Sequence, residues 1–173
     1  MYTPSDHDYM TMALAEAKKS MFVSNPNPRV GCVIVKNNEV LGVGHTQAVG
    51  SDHAEINALK DAKAKGKDVT GATVYVTLEP CCHHGRTPPC TDSLIAAKVS
   101  TVIAAMTDPN PLVAGQGLET LRASGIEVRC GLLEKEAMEL NPGFIKRMTK
   151  NKHWVSRKIA EIIDVKTALN NGV

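Results

Sequence analysis

Four residues of this sequence, His53, Glu55, Cys81 and Cys90, together match a hydrolytic zinc centre. One imidazole and two thiolates fill three of the four tetrahedral positions of zinc and leave the fourth open to water, as in catalytic zinc sites. A neighbouring carboxylate can carry a proton from water to a leaving amine. The pattern therefore indicates hydrolytic deamination, with His53, Cys81 and Cys90 as ligands of one zinc ion per chain and Glu55 as the catalytic proton shuttle.

The spacing of His53 and Glu55 restricts where a helix can carry them. Residues two apart in a helix point about 200° away from each other, so the two side chains converge only at a helix end. We expect a helix over residues 53–65 that begins at this pair, with Ser51 or Asp52 as its capping residue. Both side chains would then lie in the first turn.

The two cysteines are also predicted at element boundaries. Cys81 follows a predicted strand over residues 72–78 that is rich in β-branched side chains. Cys90 follows two prolines and is expected to begin a helix, where the partial positive charge favours a thiolate. Active sites of open α/β sheets lie where strand ends meet helix starts, so the three ligands are predicted to converge there.

Strand-like and helix-like segments alternate along the chain, which is typical of an α/β fold. No internal repeat or low-complexity segment interrupts this alternation. Past residues 142 and 143 the sequence becomes basic and is interpreted as a linker, followed by a strand over 154–159. The predicted strands cover residues 30–35, 40–43, 72–78, 99–106 and 126–130, and the predicted helices cover 6–22, 53–65, 116–123, 133–140 and a segment after residue 89.

Other interpretations of the same residues stay open at this point. A histidine and glutamate two apart occur often by chance, and a few cysteines near a turn can be half of a structural zinc site, although no second C-x-x-C pair completes one. Cys82 is not expected to be a ligand, because adjacent side chains diverge in extended chain. Cys32 is expected to be a small core residue of its strand, and Cys130 to lie at a strand end without a part in the site.

The composition excludes several classes of protein. The chain has 173 residues, of which 43% are hydrophobic, 22% charged and 3% aromatic, with 20 basic and 18 acidic residues. This predicts one soluble domain and argues against a nucleic-acid partner, which would require a basic surface. No apolar run long enough for a membrane span and no signal peptide are found, so we expect a cytoplasmic protein whose cysteines stay reduced.

The segment between Cys81 and Cys90 departs from the common zinc-deaminase pattern P-C-x-x-C. Eight residues separate the two cysteines here, and they include two histidines, an arginine and a threonine. Guanidinium and hydroxyl groups suit phosphate oxygens, so the loop is either a phosphate-binding surface or an ordinary solvated loop.

Three motifs resemble one known family. They are EPCCHHGRTPPC at residues 79–90, NPRVGCVIV at residues 27–35 and DPNPLVAG at residues 108–115. Over residues 5–150 the chain resembles the deaminase half of the bifunctional riboflavin-biosynthesis deaminase/reductase, in the cytidine-deaminase-like superfamily. The resemblance implies a three-layer α/β/α sandwich with a central mixed sheet, which we assign to residues 1–145 as a zinc-dependent deaminase domain.

The resemblance also implies a substrate and the residues that contact it. The implied reaction is hydrolytic deamination of 2,5-diamino-6-ribosylamino-4(3H)-pyrimidinone 5′-phosphate to 5-amino-6-(5-phosphoribosylamino)uracil. At the position of Cys82 the family usually has serine, in line with a cysteine that is not a ligand. By motif match, the substrate-binding residues are Asn27, His45, His83, Arg86, Thr87 and Asn110.

Residues 146–173 are predicted to be a linker and the truncated start of a reductase-like domain. The family has Asp-Gly-Arg-Thr where this chain has Asp-Val-Lys-Thr at residues 164–167. We therefore expect neither reductase activity nor NADPH binding. Alternatives are a cytidine, guanine or tRNA-adenosine deaminase, or an inactive zinc domain used for assembly; a homodimer is a further expectation.

Overall fold

A five-stranded mixed β-sheet lies at the centre of the residues that the computed structural model describes, 1–83 and 88–155. Its strands are β1 (Gly31–Lys36), β2 (Glu39–His45), β3 (Thr73–Val76), β4 (Thr101–Ala104) and β5 (Glu127–Cys130). They lie side by side in the order β2-β1-β3-β4-β5. Strand β1 is antiparallel to both of its neighbours, whereas β3, β4 and β5 are parallel. The predicted central mixed sheet is confirmed.

Six helices pack around the sheet in this described part of the chain. They are α1 (Pro4–Lys18), α2 (Ala54–Ala64), α3 (Cys90–Ala96), α4 (Gln116–Ala123), α5 (Glu134–Leu140) and α6 (Pro142–Lys150). Helix α1 contacts β1 and α5. In a second group, α2 contacts α3, and α3 contacts α4. Two groups of helices thus enclose the sheet, which confirms the predicted three-layer α/β/α sandwich.

The strands consist largely of β-branched and other apolar residues because both faces of the sheet are covered. Val33, Ile34, Val74 and Val102 have no exposed surface. Helix α1 begins at Pro4, two residues earlier than predicted, because Thr3 forms a capping box with Asp6. It ends at Lys18, and the predicted continuation to residue 22 forms turns instead.

Two glycines of β2 allow α2 to lie directly against the strand backbone. A Cβ atom at Gly42 would lie 2.3 Å from the carbonyl oxygen of Ala58, and one at Gly44 would lie 2.3 Å from that of Ala54. Any larger side chain at these positions would push the helix off the sheet. The start of α2, which carries His53 and Glu55, is therefore held at a fixed distance from β2.

The sheet topology brings four segments to one edge. Strands β3 and β4 are parallel, so the residues that follow them emerge at the same edge. Strand β1 runs in the opposite direction to β3, so its preceding segment lies at that edge too. The end of β2 pairs with the start of β1, since His45 lies opposite Gly31. The predicted convergence of the site-bearing loops follows from this arrangement.

The region predicted to be a linker contains a helix. Residues 142–150 form α6, so a linker that begins at residue 146 would cut this helix in two. Asn141 precedes the helix and Pro142 occupies its first position, where proline loses no hydrogen bond. The predicted strand over residues 154–159 falls mainly outside the described residues. No helix within residues 1–83 and 88–155 is long and apolar enough to cross a bilayer.

Candidate active site

The three predicted zinc ligands lie together. The donor atoms of His53, Cys81 and Cys90 all lie within 4.8 Å of one another. Nδ1 of His53 is 3.2 Å from the sulfur of Cys90 and 3.5 Å from that of Cys81. The three residues come from three separate segments, which form what we call the His53–Cys81–Cys90 cluster.

The start of α2 presents His53 differently from the prediction. Neither Ser51 nor Asp52 caps the helix; His53 itself occupies the N-cap position in an extended conformation, with φ −73° and ψ 168°. Its side chain makes no capping hydrogen bond, so the imidazole is free to join the cluster. Glu55 follows in the first turn, as the spacing predicted.

The two thiols of the cluster have unequal pKa values. Helix α3 begins at Cys90, as predicted, and the backbone N–H of Cys90 donates to the sulfur of Cys81 at 3.4 Å. A hydrogen bond from the Cys90 thiol, with His53 nearby, lowers the pKa of Cys81 to about 4. The same hydrogen bond raises the pKa of Cys90. The pair therefore readily holds one thiolate before any metal binds.

The donor set of the cluster fits zinc. Zinc prefers thiolate sulfur and imidazole nitrogen in tetrahedral geometry, with bonds of about 2.0–2.3 Å that place its ligands about 3.5 Å apart. The distances of 3.2 Å and 3.5 Å from His53 Nδ1 to the two sulfurs agree with that spacing. Cys82, by contrast, is not part of the cluster, and burial raises its pKa. Among the described residues, His53, Cys81 and Cys90 form the group that could hold a metal ion.

Glu55 lies at the inner wall of the site. Its side chain is only 4% exposed. Burial raises the pKa of Glu55 to about 7, and the negative charge of Cys81 adds to this effect. A carboxyl group with a pKa near neutrality can both accept and donate a proton, which suits it to general acid–base chemistry.

A cavity of about 310 Å³ opens next to the cluster. This volume is at the lower end of the range for small-molecule sites. Its walls come from the segments that the sheet gathers at one edge and from helix α6. The lining residues are Asn27, Pro28, Val30, Thr46, His53, Glu55, Leu78, Glu79, Cys81, His83, Asp108, Asn110, Val113, Phe144 and Met148.

The structure brings together only some of the predicted substrate-binding residues. Asn27, His83 and Asn110 line the cavity. His45 is not among the described residues that line the cavity. The imidazole Nδ1 of His45 lies 3.4 Å from the carboxylate of Glu16, and its Nε2 lies 3.0 Å from the side-chain nitrogen of Gln47. The other two, Arg86 and Thr87, lie outside the described residues.

Glu79 has a structural role that the sequence did not indicate. Its buried carboxylate accepts hydrogen bonds from four backbone N–H groups of the segment that follows β4. One oxygen accepts from Asp108 and Gly115 at 2.9 Å each, and the other accepts from Gly117 at 2.7 Å and from Leu118 at 3.4 Å. Glu79 thus holds the loop that carries Asn110 against the loop that carries Cys81.

Glu79→Gln is expected to lower the free energy of unfolding by about 2–4 kcal/mol. Hydrogen bonds to a charged, buried acceptor contribute about 1.5–3 kcal/mol each, and the side-chain NH₂ of glutamine would face backbone N–H groups that need an acceptor. Urea unfolding measures the change. The control is Glu119→Gln on α4, whose side chain is 73% exposed and which should change stability by less than about 0.5 kcal/mol. Equal effects of the two substitutions would contradict this role of Glu79.

Several further cavity residues were not predicted as site residues, among them one acidic residue and two residues of α6. Asp108, in the turn after β4, lines the cavity, and burial raises its pKa. Phe144 and Met148 of α6 form an apolar part of the wall. The sequence offered a weak signal for α6, since asparagine followed by proline is typical of a helix start.

Comparison with known proteins identifies the family. Residues 3–106 match the family described as the cytidine and deoxycytidylate deaminase zinc-binding region. The chain belongs to this deaminase family. The resemblance found in the sequence is thereby confirmed at the level of the superfamily.

Individual relatives of this deaminase show which members of the family it resembles. The chain is 52% identical over 167 residues to riboflavin biosynthesis protein RibD of Escherichia coli (strain K12), covering 96% of this chain and 45% of that protein. It is 49% identical to a protein of Buchnera aphidicola subsp. Schizaphis graminum named diaminohydroxyphosphoribosylamino-pyrimidine deaminase, covering 83% of this chain and 95% of that protein. The resemblance to the riboflavin-biosynthesis deaminases is confirmed.

A solved structure shows the same fold. The diaminohydroxyphosphoribosylaminopyrimidine deaminase/5-amino-6-(5-phosphoribosylamino)uracil reductase of Thermotoga maritima superposes with a TM-score of 0.88 at 44% identity, covering 96% of this chain and 48% of that one. The deaminase chain thus spans about half the length of the RibD proteins and of this bifunctional structure.

Proposed function

We propose that this chain catalyses the hydrolytic deamination of 2,5-diamino-6-ribosylamino-4(3H)-pyrimidinone 5′-phosphate. The observation that carries the proposal is the His53–Cys81–Cys90 cluster, of which His53 and Cys81 line the same cavity as the buried carboxylate of Glu55. The name of the relative that this chain covers almost completely supports the same substrate. In the reaction a new C–O bond to water forms at C2 of the ring, the bond from C2 to the amino nitrogen breaks, and ammonia leaves.

The protein residues divide this work between them. A zinc ion bound by the cluster would supply a Lewis acid that activates water, and we propose one ion per chain. Glu55 takes the proton from water and delivers it to the departing nitrogen. The surrounding protein excludes bulk solvent from this carboxylate, which keeps its proton transfer directed at the substrate.

The proposed substrate contacts come from several walls of the cavity. Asn27 and Asn110 offer amide groups, and the exposed imidazole of His83 lies at the beginning of the loop between the two cysteines. For Arg86, Thr87 and His45, the proposal rests on the family resemblance. A homodimer, a cytoplasmic location and the lack of NADPH binding stay predictions.

An ammonia-release assay on the purified, zinc-loaded protein tests the proposed function. Turnover is expected with the phosphorylated diaminopyrimidine, with conversion of the ring to the uracil product. Cytidine, guanine and tRNA serve as comparison substrates and should release no ammonia. Release from one of these alone would contradict the proposed substrate, and no release from any would favour the inactive zinc domain.

Arg86→Ala is expected to raise KM for the phosphorylated pyrimidine by about 10–100-fold, because a guanidinium–phosphate contact contributes about 1.5–3 kcal/mol. The dephosphorylated analogue should be turned over with nearly unchanged efficiency by this variant. Steady-state kinetics with both compounds make the comparison. Equal losses on the two compounds would show that Arg86 does not recognise the phosphate.

A further inference from the structure

The side chain of Asn141 joins helix α6 to the segment that precedes β1. Its Oδ1 accepts a hydrogen bond from the backbone N–H of Arg29 at 2.8 Å, and its Nδ2 donates to the backbone carbonyl of Arg29 at 2.9 Å. The side chain is 6% exposed. Although Asn141 is the N-cap residue of α6, it makes no side-chain capping bond. Its amide therefore satisfies both backbone groups of one residue 112 positions earlier.

Two more hydrogen bonds join the same two segments. The guanidinium of Arg29 donates to the carbonyl of Leu140 at 3.0 Å, and that of Arg147 donates to the carbonyl of Pro26 at 2.7 Å. The bond between Arg147 and Pro26 is exposed, whereas the two Asn141 bonds and the bond to Leu140 are partly buried. Because unpaired backbone groups are costly when buried, loss of the Asn141 amide would release the two segments from each other.

Both joined segments form walls of the cavity. Asn27 and Pro28, just before Arg29, and Val30, just after it, line the cavity, and Phe144 and Met148 line it from α6. Asn141 itself is not among these lining residues. A shift of the anchor would therefore move two walls of the cavity without any direct change at the His53–Cys81–Cys90 cluster.

We infer that Asn141 is a positioning residue for substrate binding, which keeps the Asn27 segment and helix α6 at the separation that the phosphorylated pyrimidine requires. The inference rests on the proposed function. Asn141 acts through the Arg29 backbone and through α6, and the chemical step stays with Glu55 and the cluster. Its loss should therefore weaken binding more than it slows chemistry.

The kinetic test compares Asn141→Ala and Asn141→Asp with Thr149→Ala. The aspartate keeps one acceptor but sets an oxygen against the Arg29 carbonyl, so it should not rescue the contact. Both Asn141 variants are expected to raise KM about 10-fold, with kcat per bound zinc changed less than about 2-fold. Thr149 is exposed on the same helix and outside the cavity, so its variant should leave both constants unchanged.

This split between KM and kcat separates positioning from a merely structural role. A variant that only unfolds more easily would lose active molecules, which lowers kcat per total protein and leaves KM unchanged. Phe144→Ala offers a second route if the Asn141 variants do not fold, since no residue of α6 is buried and the helix should tolerate the change. It should also raise KM, because it removes part of the wall that Asn141 holds.

Amide hydrogen exchange supplies a readout without substrate. In Asn141→Ala, the amide of Arg29 should exchange about 10-fold faster than in the unaltered protein, and in Thr149→Ala it should not change. Unchanged KM in the Asn141 variants, or in Phe144→Ala where those variants do not fold, would overturn the inference, and so would unchanged exchange at Arg29. Absence of turnover by the unaltered protein would instead contradict the proposed function, so the two failures are distinguishable.

Discussion

Glu55→Gln is expected to reduce kcat for ammonia release by about 10³-fold or more while the protein keeps its zinc. General acid–base catalysis contributes about 10²–10⁴-fold, and a glutamine of the same shape can neither take up nor deliver a proton. The side chain is 4% exposed, so bulk water is poorly placed to replace it. Single-turnover kinetics together with metal analysis would measure both quantities on one sample.

A second glutamate provides a matched control for this prediction. Glu134 also lies in the first turn of a helix, α5, but it is exposed and does not line the cavity. Glu134→Gln should therefore leave kcat within about 2-fold of the unaltered protein. If Glu55→Gln retained full turnover, another group would have to move the proton, and the proposed mechanism would be wrong.

Cys81→Ala is expected to bring the zinc content close to zero and to abolish deamination. The cluster offers three protein donors, and removal of one leaves two of them, His53 and Cys90, to bind the metal. The neighbouring thiol cannot replace the lost one without a rearrangement of the chain, since Cys82 is not part of the cluster. Zinc analysis of the purified variant gives the first result, and the ammonia assay gives the second.

Cys82→Ala is the matched control, because it removes the same chemical group from the adjacent residue. It should keep one zinc per chain and normal turnover. The pKa directions agree with this contrast, since that of Cys81 is lowered whereas burial raises that of Cys82. Zinc loss in Cys82→Ala, or zinc retention in Cys81→Ala, would contradict the proposed ligand set.

The parts that could be predicted from the sequence depend on local signals. Residues 73–76 are β-branched or aromatic and form β3, and the two prolines before Cys90 mark the start of α3. The spacing of His53 and Glu55, together with polar residues before them that suit a helix start, placed the pair in the first turn of a helix, because residues two apart point away from each other in mid-helix. The prediction of Ser51 or Asp52 as the capping residue of α2 was wrong. Both residue types suit the N-cap position, and nothing in the local sequence shows that His53 occupies it instead.

The parts that could not be predicted depend on contacts between distant segments. Glu79 accepts hydrogen bonds from backbone N–H groups that lie 29 to 39 residues later, and every residue type except proline can supply these. The inferred positioning role of Asn141 likewise depends on hydrogen bonds to the backbone of Arg29, a distant residue. The sequence becomes basic over α6, which led to its interpretation as a linker, although the helix forms a wall of the cavity through Phe144 and Met148.

The glycine contacts between β2 and α2 bear on how such an enzyme can change its substrate. At Gly42 and Gly44 helix α2 lies directly on the backbone of β2. No side chain separates the helix from the strand there, so no substitution of such a side chain by one of slightly different size could move the helix by a small step. The proposed proton-transfer residue, Glu55, is therefore fixed in place by this packing. The proposed contacts Asn27 and Asn110 instead lie on loops, and the cavity wall at Phe144 lies on α6. Substitutions at Asn27, Asn110 or Phe144 could redirect the enzyme to another ring while the reacting centre stays in place.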